Sequence, residues 1–226
     1  MSKEQRARNR AERIAREAAQ REAATRSTRI RLAVGGVAAA VLVVGVALTL
    51  LLRDPSDGPT RSDDGFDAAA IPATRTSDLV SAARIAGCRL RSYENAGSDH
   101  VAEAVSYETS PPTTGPHDPS AAEDRAYLPP DAPMVEQSVH SLEHGRVAIQ
   151  WRPGLLKREV DQLYSVFEED DGYHALLFEN QTGMKAAVAA TAWQNALVCP
   201  RLNDRVFDAI RAFRETYTDR GPEFVP

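Results

Sequence analysis

The 226-residue chain predicts an α+β domain behind a single membrane-spanning helix, and three observations carry that expectation. Residues 32–52 form an apolar run without a charge. Residues 146–151 (RVAIQW) alternate in the β-rich manner of a strand, and 155–169 then place Leu155, Leu156, Val160, Leu163, Val166 and Phe167 on one helical face. Between these regions, a stretch rich in proline (108–133) interrupts regular structure.

Composition and charge narrow the possibilities. With 42% hydrophobic and 26% charged residues the chain falls in the ordinary globular range, which excludes collagen-like and low-complexity classes. The net charge of −5 hides a division: residues 1–31 carry ten basic and four acidic side chains, 32–52 none, and 53–226 carry 17 basic and 28 acidic. An acidic main body lacks the basic footprint that nucleic acid requires, so no nucleic-acid partner is expected.

The basic tail, 1–31, precedes a 21-residue run, LAVGGVAAAVLVVGVALTLLL, that would span roughly 30 Å as a helix, the thickness of a hydrocarbon core. Ten basic residues before it against Arg53 after it orient the N-terminus to the cytoplasm and place 53–226 outside, with the lipid bilayer as partner of 32–52. A cleavable signal peptide would have a shorter basic region and a shorter apolar one, and would export the same domain. Residues 53–77, rich in Asp, Ser, Pro and Gly, read as a flexible linker. The extracytoplasmic domain is expected at 78–226, long enough for one core.

Within it, the pattern predicts a short helix or strand at 79–86, strands at 88–93 and 100–107, the irregular stretch at 108–133, the strand at 146–151 and the helix at 155–169. Strands at 173–179, 186–193 and 196–199 and a helix at 204–217 follow, with the helices on one face of a mixed sheet. Cys88 and Cys199 are the two cysteines, and in an oxidising compartment they read as one disulfide; two buried free thiols are the alternative. The acidic run 168–171 reads as a solvated helix end, and Trp151 and Trp193 as core residues.

Four of the five histidines stand where they could hold a metal ion. His100 opens a predicted strand, His117 ends the proline-stiffened loop SPPTTGPH, and His140 and His144 lie four apart in SVHSLEHG, so one helical turn would stack them. Imidazole suits zinc and copper, and three protein nitrogens would leave one coordination position open. Each could equally be a hydrogen-bonded structural residue. Met134 and Met184 could serve Cu(I), although core packing is the commoner use of methionine. Residues 140–144 also match H-x-x-E-H, in which Glu143 would be the general base of a metal-dependent hydrolase, but that chemistry needs a long helix and Gly145 follows at once. Glu143 instead reads as a residue orienting a ligand imidazole. No phosphate-binding glycine loop or serine-nucleophile motif occurs, so binding is expected in preference to catalysis.

The segments SPPTTGPH and VHSLEHGRVAIQW resemble those of a bacterial family of single-pass membrane proteins known as domain of unknown function 3105. Its PPTSG-x-H loop is matched at Pro111, Pro112, Thr113, Gly115 and His117, with Thr114 in place of Ser, and its VHSLEHG segment at residues 139–145. Gly87-Cys88, His100-Val101, Thr191-Ala192-Trp193 and Pro222-Glu223 are also similar, while Trp151 stands where the pattern has Tyr. The resemblance covers roughly residues 78–226. It implies that the four histidines form one site, with a role in handling a metal, copper first, outside the cytoplasm. A second expectation, from another class, is an accessory subunit that docks on a membrane or envelope complex, its histidines being structural.

Overall fold

The computed structural model describes residues 65–223 and Val225. The tail and the apolar run at 32–52 lie outside the described residues, and no helix among the described residues is long and apolar enough to cross a membrane. Five strands form one mixed sheet: β1 (Arg89–Ser92), β2 (Val147–Trp151), β3 (Ala175–Glu179), β4 (Val188–Ala192) and β5 (Asn195–Cys199), in spatial order β1-β5-β4-β2-β3. Only β2 and β3 run parallel, and they are joined through helix α3 (Lys157–Phe167), the crossover that a parallel pair requires. The other pairs are antiparallel, β4 turning directly into β5 at Trp193-Gln194 with Gln194 in the left-handed region at φ 61°.

The first helix among the described residues, α1 (Leu79–Ala86), begins where the Asp78 side chain accepts the Ser81 N–H, and the Ser81 hydroxyl first and its N–H second hold the Asp78 carboxyl below its usual range. Gly87, at φ 72°, ends it and delivers Cys88 to the disulfide with Cys199.

Alternation along the strands sends side chains to two covered faces. Val147, Ile149 and Trp151 of β2 join Val188, Ala190 and Leu197 in the larger core, closed by α1, α3 and α4 (Val206–Tyr217). On the opposite face Ala148, Leu176 and Phe178 pack against Val139 and Leu142 of helix α2 (Val135–Glu143) and against Tyr127 and Trp193. The expectation that the helices share one face is therefore corrected. Three do, and α2 with the irregular segment covers the other, which is why β2 and β4 are buried at every position.

Two further expectations change. Residues 65–77, placed by sequence in a flexible linker, are strapped to the body: the Phe66 ring stacks on Tyr164 with centroids 4.6 Å apart, and the Ala69 N–H donates to Ser165 Oγ. Aspartate and proline content suggested a tether, but one aromatic anchor and bonds to helix side chains suffice to order it. No strand forms over 100–107, because its inward residues are few and its backbone meets the next loop only at the bridge of His100 with His117. The acidic run 168–171 is an exposed helix end, as expected, with Glu169 also pairing with Arg211 and Asp170 with Arg214.

Candidate metal centre

Two segments of the irregular stretch lie side by side and bring the first two histidines together. The Gly115 N–H donates to Gly97 O, the His117 N–H to Asp99 O and the Val101 N–H to His117 O, at 3.1, 3.0 and 2.8 Å. The His100 and His117 rings consequently approach to 5.0 Å between centroids. Gly115 is required at this point: its φ of 124° is closed to ordinary L-residues, and a Cβ would come within 3.3 Å of the Tyr107 ring. The Tyr107 hydroxyl donates to Pro116 O at 2.8 Å, and Thr113 O accepts from the Gln194 N–H at 2.9 Å, so the loop is tied on both sides. Beside it opens a cavity of about 440 Å³ lined by Tyr93, Asn95, Tyr107 and Thr113 among others.

Helix α2 supplies the other members. It runs from Val135 to Glu143, ends at Gly145 with φ 81°, and carries His140 and Glu143 three apart on one face. The hydrolase expectation fails here on its own condition, since α2 stops at Glu143 and His144 is only its cap. One ligand atom each from His100, His117, His140 and Glu143 lies within 4.8 Å of all the others. Ligands about 2 Å from a common ion stand roughly 3–4 Å apart, so modest side-chain movement would close this group on a metal.

Hydrogen bonds fix the form in which two of these rings are presented. His117 Nδ1 lies 2.9 Å from Gly115 O and His140 Nδ1 lies 2.6 Å from Asp118 O. A carbonyl only accepts, so each Nδ1 carries a proton and Nε2 is the ring atom left to serve as a ligand. This is the backbone support that metal-binding histidines usually have. His117 Nε2 is sealed from solvent and has no hydrogen-bond partner, although Glu143 Oε2 is only 3.0 Å away. Trp193 closes the site edge-on, 6.0 Å from His117.

Burial, followed by repulsion from His117 and His100, pushes the His140 imidazole below its ordinary range and outweighs the Asp118 bond. For His144 the causes are burial and then the charges of His140 and Arg146. Both shifts favour the neutral ring, the form a metal takes.

The structure thus brings His100, His117 and His140 together with Glu143. His144 stands just outside, its Nε2 facing His140 Nε2 at 2.9 Å. The i,i+3 spacing of His140 and Glu143 was the available signal for the carboxylate. Cys88 and Cys199 are bonded to each other, Met184 packs in a small apolar cluster and Met134 is exposed. The fifth histidine, His174, pairs with Asp219.

A family model described as "Protein of unknown function (DUF3105)" matches residues 100–225, a span that holds all four members of the group. No curated protein and no solved structure matches the chain.

Proposed function

The chain belongs to the DUF3105 family, and from that premise we propose that it is a membrane-anchored, extracytoplasmic protein that holds a zinc or copper ion through His100, His117, His140 and Glu143. One observation carries the reading: the buried Nε2 of His117, whose Nδ1 is bonded to Gly115 O, lies 3.0 Å from a buried carboxylate without a hydrogen bond. A buried ring nitrogen without a hydrogen bond beside a buried carboxylate is a pair of donor atoms that a cation between them would satisfy. Three imidazoles with one carboxylate, and neither thiolate nor thioether, suit Zn(II) or Cu(II) better than Cu(I). Anchoring rests on the charge-free run at 32–52 and the basic tail before it, and a disulfide-bonded domain fits an oxidising compartment.

Elemental analysis of the full-length protein, purified in detergent without a histidine tag, tests the proposal. About one zinc or copper per chain is expected, and none in His117→Ala or His140→Ala. A protein that stays metal-free after incubation with both ions overturns the reading and returns the accessory-subunit role, which crosslinking to envelope proteins would then address. A reporter fused to either end checks the topology.

A further inference from the structure

His144 touches the site without belonging to the group of four. Its Nε2 lies 2.9 Å from His140 Nε2 and 3.5 Å from Glu223 Oε2. The roles in the first pair are fixed from the other side of the His140 ring. There Nδ1 donates to Asp118 O, so Nε2 of the neutral ring is an acceptor. A hydrogen bond between two nitrogens needs one proton, which must therefore sit on His144 Nε2. The lone pair it occupies is the one a metal on His140 would use, and one lone pair cannot serve both.

The second acceptor is held in place independently. The Glu223 N–H donates to Glu143 O at 3.1 Å and the Asp219 N–H to Gly145 O at 2.9 Å. Gly221 sits so close that a Cβ there would meet Glu143 O at 2.1 Å. The C-terminal segment is thus pressed onto the end of α2, and the Glu223 carboxylate is the nearest acceptor to which His144 can turn.

Building on the metal-binding reading above, we propose that His144 is an exchangeable cap on the ligand His140. In the metal-free protein His144 donates to His140 Nε2. When an ion takes that lone pair, the same N–H passes to Glu223. His144 is then a positioning residue whose internal bond competes with the metal, and the site holds its ion less tightly than its donors alone would allow. That property belongs to a protein that exchanges metal rather than one that keeps it as a structural staple.

The test is titration of Zn²⁺ into the metal-free full-length protein against a chromophoric chelator. Replacing one hydrogen bond corresponds to roughly 3- to 10-fold in affinity, so His144→Ala is expected to bind zinc tighter by that factor while His140→Ala loses it. Glu223→Ala is expected to weaken binding a few-fold in the wild type and to have no effect in the His144→Ala background, a coupling that a purely structural role would not produce. In ¹⁵N-labelled metal-free protein, a nitrogen–nitrogen coupling across the His144–His140 bond is expected to vanish on adding zinc; this readout needs no substitution. Unchanged affinity in His144→Ala, or no such coupling, overturns the cap. Tenfold weaker binding in His144→Ala makes His144 a ligand and overturns the cap while leaving the metal site standing. A wild type that takes up no zinc or copper removes both proposals.

Discussion

His117 Nε2 and Glu143 Oε2 stand 3.0 Å apart, with no hydrogen bond formed at His117 Nε2, in a part of the molecule where His117 is 0% and Glu143 4% exposed. The arrangement is unfavourable without a cation, so Glu143→Gln separates stability from binding. An amide N–H can donate to the His117 lone pair, and the metal-free protein should gain on the order of 1 kcal/mol while losing most of its affinity for metal. Thermal unfolding with and without a chelator measures both. A lower midpoint for metal-free Glu143→Gln contradicts the explanation.

Acidification should destabilise the metal-free protein through His140 and His144. Their folded values lie below the ordinary histidine value of 6.5, so the unfolded chain binds protons first as the pH falls. The contribution is present in full above pH 6.5 and is lost progressively as the pH drops through the folded values. Unfolding midpoints between pH 8 and pH 5 should be flat at the upper end and fall below about 6.5. His140→Ala/His144→Ala should flatten the acid limb, and an equally steep limb in that variant assigns it to other groups.

The strap at 65–77 depends on one ring. Phe66 is 1% exposed, stacked on Tyr164 and edge-on to Trp151 at 6.5 Å. Phe66→Ala should cost about 3–4 kcal/mol, as large aromatic truncations in cores do, and should expose 65–77 to hydrogen exchange. Urea unfolding combined with exchange reads both, and retained protection over 65–77 argues that the backbone bonds alone hold the strap.

Removing the disulfide should cost about 4–5 kcal/mol in the chain-entropy model, because Cys88 and Cys199 are 111 residues apart in sequence. Cys88→Ser/Cys199→Ser is compared with the wild type by urea unfolding in the absence of reductant. A loss below about 1 kcal/mol means that the sheet pairing of β1 with β5 already confines those ends in the unfolded ensemble.

Most of the sheet was legible because β2, β3, β4 and β5 carry dense runs of Val, Ala, Leu and Ile bounded by turn residues. The second covered face was not. Its inward positions on β2, Ala148 and Gln150, are small or polar, and Gln150 is satisfied by Asn180, a partner distant in sequence. Helix α2 was missed as an element because Ser138, His140 and Ser141 are poor helix formers, and packing of Val139 and Leu142 on the sheet overrides that preference. The histidines announced the site through HSLEH and the proline loop. The pairing of 97–101 with 115–117, which brings His100 to it, depends on backbone bonds that side-chain pattern does not encode.

The disulfide also closes a covalent ring that runs from Cys88 to Cys199 and carries His100, His117, His140 and Glu143 within it. A protease that cuts once in the irregular stretch between His100 and α2 therefore cannot release either half. The nicked molecule gains only one water and stays in one piece until a reductant is added, with every candidate donor still tethered to the same body. Among the described residues the loops beside the candidate donors are thus protected against losing them to a single cleavage.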